Sequence, residues 1–174
     1  MNPRDEQLLA DGSARVGNAA SPFKLKNILV PIDFSDYSLK ALQYALPFAK
    51  QHGAKITLIQ VIEPVYYPEN FLGVLPPECE KVNIDRARAA KRQLADLRQL
   101  EIGLETPAEI VVRTGRPYEE IINAAKEHDI NLIIISTHGH SGLKRVFLGS
   151  TAERVVRHAP CPVLVVREPE YEFI

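Results

Sequence analysis

The stretch NILVPIDFSDYSLKALQYALPFAKQHG, residues Asn27 to Gly53, decides the fold. It opens with an apolar run of strand length and no polar alternation, the pattern of a strand buried on both faces. Pro31 removes one backbone donor from that run, which marks a strand end or a bulge. Further on, Leu39, Leu42, Ala45, Leu46 and Ala49 recur at helical spacing, and Gly53 closes the helix. A buried strand that feeds an amphipathic helix is the unit of a parallel α/β sheet.

The unit recurs along the chain. AKITLIQVIEP predicts a second strand and Lys81 to about Leu100 a second helix; AEIVVRTG predicts a third strand, and Pro117 sits in the first turn of a third helix. NLIIIS predicts a fourth strand, Thr151 to His158 a fourth helix, and CPVLVVR, entered past Pro160 and Pro162, a last strand. Such an alternation gives a parallel sheet covered by helices on both faces and joined by right-handed crossovers. Ligands of these sheets bind beyond the carboxyl ends of the strands, so candidate residues belong to the loops after the first, second and fourth strands.

Composition narrows the function classes. The chain has 174 residues, 45% hydrophobic and 25% charged, enough for one well-buried domain and short for two. A net charge of −1 gives no global attraction to nucleic acid or anionic lipid, so neither is expected as a partner. Cys79 and Cys161 fit neither a disulfide framework nor a CxxC pair, and a reducing compartment, the cytoplasm, is the expectation. Residues 1–22 are polar, small and aperiodic and read as a flexible arm, residues 23–168 as the single domain, and 169–174 as a tail. The arm holds no apolar core of signal-peptide length, and no stretch approaches the roughly 18 apolar residues of a membrane span.

The segment STHGHSGLKRVFLGST, Ser136 to Thr151, carries the densest chemistry. Gly139 and Gly149 would let backbone approach a ligand, and Ser150 and Thr151 stand where a helix begins, so free amides and the positive helix end would face an anion. Lys144, Arg145, Arg154 and Arg157 against Glu153 alone make this region locally basic. Plain capping explains the same residues: Ser150 and Glu153 have the spacing of a capping box. Neither the Walker pattern nor GxGxxG is present.

Asp33, at the end of the first strand, would accept hydrogen bonds from a ribose hydroxyl or help hold a cation; alternatively Asp33 or Ser35 caps the first helix. Val61 closes the second strand and reads as core before ligand wall. His138 and His140 form an HxH pair without further ligands at a recognisable metal spacing, so no metal site is expected. Cys161 between prolines reads as a small buried apolar residue, and no nucleophile with its base can be picked out. The connection after the second strand carries Tyr66, Tyr67 and Phe71 among prolines and reads as a lid, a partner surface or packing over the sheet edge.

Taken together, KNILVPIDFSDYS, ITLIQVIEP and IIISTHGHSGLKRVFLGSTAERVVRHAPCPVLVV resemble the universal stress protein family from about Lys26 to Arg167. The resemblance implies an open five-stranded parallel sheet of order 3-2-1-4-5, Rossmann-like and of the adenine nucleotide alpha hydrolase type, commonly assembled as a homodimer. One branch of the family binds ATP through the pattern G-x2-G-x9-G-[ST]. Here its second glycine falls on Gly139 and its last pair on Gly149-Ser150, while Ser136 occupies the first glycine position. By that carry-over Pro31, Ile32 and Asp33 line the adenine–ribose side and Val61 touches the base. Ser136, His138, Gly139, Gly149, Ser150 and Thr151 form the phosphate side.

The implied ligand is ATP or AMP, with or without Mg. Ser136 adds a side chain and limits positive φ, which predicts weakened or altered binding rather than its loss. With no identifiable water-activating base, the expected role is a stress-response sensor or regulatory module rather than an enzyme. A non-nucleotide interaction protein of the same family and a slow ATPase stand as alternatives. The last strand, Pro162 to Arg167, at a sheet edge, is the expected dimer surface.

Overall fold

The computed structural model describes residues 24–64, 77–137 and 148–167, with the backbone alone for 77–80. Five strands, β1 (Asn27–Pro31), β2 (Lys55–Ile62), β3 (Ala108–Thr114), β4 (Leu132–Ser136) and β5 (Val163–Val166), pair in parallel in the order β3-β2-β1-β4-β5. The helices α1 (Asp36–His52), α2 (Pro77–Leu97), α3 (Pro117–Glu127) and α4 (Ser150–His158) alternate with them. Sheet order and alternation are those anticipated from the sequence. The expectations for the arm, the tail, the aromatic residues Tyr66, Tyr67 and Phe71, and for His138, Gly139, His140, Lys144 and Arg145 lie outside the described residues. Among the described residues no helix is long and apolar enough to cross a membrane.

Side-chain alternation along the strands splits the core between the two faces. Ile28 and Val30, with Ile56 and Leu58 of β2, pack against Leu42, Ala45 and Ala49 of α1 and Leu94 of α2. Leu29, Ile59 and Ile133 meet Ile121 and Ala125 of α3 and Val155 of α4 on the other side. Each large side chain removed from water in this way contributes about 1.5–3 kcal/mol. The apolar runs lack polar alternation because both faces of the sheet are covered.

Helix ends follow local chemistry. Ser35 caps α1, its hydroxyl accepting from the Ser38 N–H at 3.2 Å, and Gly53 ends the helix with φ 62°. The second helix starts at Pro77, ahead of the expected Lys81, since the fixed φ of proline suits a first turn. At its far end a π-helical turn, Arg98–Ile102, replaces a stop near Leu100. The wider turn keeps Leu97 and Ile102 in the core and leaves Leu100 outside, 81% exposed.

The fourth helix starts at Ser150 rather than Thr151, with Gly149 as its N-cap and no side-chain cap. The capping box expected of Ser150 and Glu153 does not form: Ser150 is already helical, and the Glu153 carboxylate accepts from Arg157 at 3.0 Å. Cys161 is half-buried against the α3–α4 side of the core rather than fully buried, and burial pushes its thiol pKa up, which disfavours a reactive thiolate.

At the amino ends of the strands, polar side chains lock the layers together. Asn131 Oδ1 accepts from the N–H groups of Lys26 and Asn27 at 2.9 and 3.0 Å, and Asn27 Nδ2 donates to the Asp129 carbonyl at 3.2 Å. Nearby, Glu109 accepts from Lys55 at 3.0 Å and from the fully buried Thr57 at 3.0 Å, and lies 2.9 Å from His128 Nδ1. Burial alone would raise the pKa of Glu109, but the hydrogen bonds of Lys55 and Thr57 and the charges of Lys55 and His128 outweigh it and hold the carboxyl below its ordinary value.

A carboxylate with a depressed folded pKa adds stability above its unfolded pKa and loses it as the pH falls through the folded value. The Glu109 side chain is 35% exposed, so solvent screening limits the gain to about 0.5–1 kcal/mol. Urea unfolding of Glu109→Gln should show a deficit of that size at neutral pH that closes in acid; an equal deficit at both pH values would sink this account.

Candidate functional site

The cavity arises where β1 and β4 part. β1 pairs with β2 from Asn27↔Lys55 to Pro31↔Ile59, but with β4 only at Ile28↔Leu132 and Leu29↔Ile133. Alternate residues of a central parallel strand bond to opposite neighbours. The Ile32 N–H donates to the Ile59 carbonyl of β2 at 2.8 Å, so the donor that Pro31 lacks would have faced β4. Pairing with β4 stops there, and the crevice at the reversal of winding holds a cavity of about 510 Å³. That volume suits a small ligand.

All the described candidate residues line this cavity. β1 and the loop after it supply Pro31, Ile32 and Asp33, β2 supplies Val61, β4 supplies Ser136, and the start of α4 supplies Gly149, Ser150 and Thr151. His138 and Gly139 lie outside the described residues. Val61 is a cavity wall as well as a core neighbour, and β2 runs one residue past it, since Ile62 still pairs with Thr114.

The loop from β1 to α1 is held by its own hydroxyls and by strain. Asp33 Oδ1 accepts from the Ser35 N–H at 3.0 Å and from its hydroxyl at 2.5 Å, while the buried Ser38 hydroxyl donates to the Ser35 carbonyl at 3.0 Å. Phe34 between them takes φ 64°, a left-handed conformation that a bulky residue adopts only when its surroundings impose it. Between Asp33 and Ser35 it is Ser35 that caps α1, while Asp33, bonded to Ser35, stands in the cavity wall.

Two expectations about the phosphate side need correction. Gly149 has φ −57°, open to any residue, and a Cβ there would lie 2.8 Å from the Thr137 carbonyl oxygen, to which the Gly149 N–H donates at 2.8 Å. The glycine is thus required by the approach of two backbone segments of the protein, whatever approaches from the cavity. Ser136 sits in β4 opposite Val166 and is not among the residues with positive φ. A serine there costs no backbone strain, and its departure from the family pattern is one of side-chain bulk alone.

Of the four basic residues, the two described ones are engaged. Arg157 pairs with Glu153, and the Arg154 guanidinium lies 4.9 Å from the centre of the Tyr118 ring. The Tyr118 hydroxyl donates to Glu119 at 2.7 Å and, with Arg116 and Arg154 nearby, holds that carboxyl below its usual range. The contact of Arg154 with Tyr118 joins α4 to the first turn of α3.

The cavity wall also includes Glu63, Pro117, Ile121 and Thr137, which the sequence reading passed over. Glu63 could have been found by stepping two residues along the strand face from Val61, and Thr137 by extending β4 one position. Pro117 and Ile121 carry no local signal, because only the packing of α3 over β2 brings them there. Among the described residues no three His, Cys, Asp or Glu side chains converge on a metal-sized site.

Polarity differs across the cavity. Toward β2 and α3 its walls are Ile59, Val61, Pro117 and Ile121, with Glu63 beside them just past the end of β2, a largely apolar surface that suits a flat ring. Toward β4 and α4 they are Ser136, Thr137 and the first residues of a helix with no side-chain cap, which suit an anion.

Residues 24–167 match the model of the universal stress protein family. Universal stress protein YxiE of Bacillus subtilis is 36% identical over 151 residues, covering 80% of this chain and 97% of its own. The structure of universal stress protein UspA from Lactobacillus plantarum superposes with TM-score 0.72 at 32% identity, over 83% of this chain and 99% of that one. A universal stress protein solved in complex with cAMP gives TM-score 0.58 at 25% identity, over 82% and 97%. The chain, in sequence and in fold, belongs to the universal stress protein family.

Proposed function

We propose that the cavity binds an adenine nucleotide, ATP or AMP, with or without Mg, and that the domain over residues 23–168 is a nucleotide-dependent sensor or regulatory module of a stress response. The observation that carries this reading is the two-ended cavity, apolar at β2 and α3 and rich in uncapped helix amides at α4. The relative solved in complex with cAMP supports the same class of ligand. Binding rather than turnover is the role, since of the carboxylates in the described wall Asp33 is engaged with Ser35 and Glu63 lies at the β2 end, away from the start of α4. The departure at Ser136 favours a second reading, a family member that works through protein contacts without nucleotide.

The chain acts as a homodimer through Pro162 to Arg167. Among the described residues β5 pairs only with β4, leaving its far edge without a strand, and Val163, Leu164 and Val165 are half-buried. Sedimentation at micromolar concentration should give a dimer; monomer alone would refute the assembly.

Protein purified without added nucleotide, then denatured, should release an adenine nucleotide identifiable by mass spectrometry, or gain thermal stability with Mg-ATP. An empty protein without a thermal shift favours the second reading. Gly149→Val should lose nucleotide and about 1–3 kcal/mol of stability, because its side chain meets the Thr137 carbonyl. Ser136→Gly should leave affinity unchanged or raise it, and a clear loss in calorimetry would contradict the role given to Ser136.

A further inference from the structure

Glu63 is the cavity residue that neither capping nor packing accounts for. It stands just past the end of β2 on the strand face of Val61, lines the cavity and is exposed. Its carbonyl accepts from Arg86 Nη1 of α2 at 2.9 Å, which fixes the backbone. Its carboxylate makes no hydrogen bond or ion pair among the described residues, although that guanidinium is close by. An ionised carboxylate can only accept hydrogen bonds, so the ligand edge that meets it must carry a donor.

The fold sets which edge that is. β2 and β4 are separated by β1 alone, so these two strands run on the order of 10 Å apart, with Glu63 past the end of one and α4 following the other on the cavity wall. An anionic group is drawn to the α4 side and repelled at Glu63. A purine nucleotide with its phosphates at α4 and its ring against Val61 and Pro117 therefore turns toward Glu63 the edge remote from the sugar. In adenine that edge carries the exocyclic 6-amino group.

Building on the nucleotide reading, we propose that Glu63 is the residue that sets base specificity, its carboxylate accepting a hydrogen bond from the 6-amino group of adenine. The contact is charge-assisted but solvent-exposed, so its effect on affinity is about tenfold.

Calorimetric titration with ATP and with purine riboside triphosphate, which lacks only the 6-amino group, tests it. The wild-type protein should favour ATP about tenfold. Glu63→Ala should bring the two affinities together, and Glu63→Gln, which keeps an acceptor without the charge, should close part of the gap. Equal affinities in the wild-type protein, or a preference unchanged in either variant, would overturn the role of Glu63 while leaving nucleotide binding intact. Failure of both triphosphates to bind the wild-type protein would overturn the nucleotide reading and the role of Glu63 with it.

Discussion

The structure turns on the hydrogen bond that keeps β1 with β2 after it has left β4. Ile32 N–H to Ile59 carbonyl at 2.8 Å continues one side of the ladder, while Pro31 has no donor to offer the other. Strand β1 is the hinge line of the sheet, with β2 and β3 to one side and β4 and β5 to the other. Its unequal ending opens a cavity, and Pro31 itself brings no N–H to the split. A residue with a free N–H in place of Pro31 would have needed a partner where the sheet diverges.

The same asymmetry gives the cavity its electrical sense. Near β1, the hydroxyl of Ser35 answers the amides of α1, and the α1 helix end is neutralised within the protein. Near β4, Gly149 brings no side chain to α4, and the amides of that first turn face the cavity wall. One opening in the sheet thus has a helix end with a side-chain cap on one flank and, among the described residues, a helix end without one on the other. An anion entering it finds its attraction on one side only.

Much of this was legible in the sequence, for reasons that can be stated residue by residue. The strands could be read because burial on both faces suppresses polar alternation, and α1 because Gly53 ends a clear apolar stripe. Pro31 was legible as an interruption, though which neighbouring strand it spares depends on the paired register. The capping box at Ser150 misled because the spacing of Ser and Glu is equally compatible with a helix that starts one residue earlier, as α4 does with Gly149 as its cap. Gly149 was recognised as a site of close approach, but the approaching group proved to be the Thr137 carbonyl, a contact between segments whose meeting is set by tertiary packing. Glu63 escaped because an exposed carboxylate after a strand resembles any solvated charge until the wall opposite it is known.

The bond from Gly149 to Thr137 has an evolutionary consequence. It ties the chain's departure from β4 to its return at α4, so the segment that leaves and comes back starts and finishes at nearly one point. Where two ends of chain are held together in this way, added length between them costs conformational entropy only logarithmically. Because the tie runs from backbone to backbone, it asks nothing of the side chains between Thr137 and Gly149, and substitution there can proceed as long as the anchoring glycine is kept.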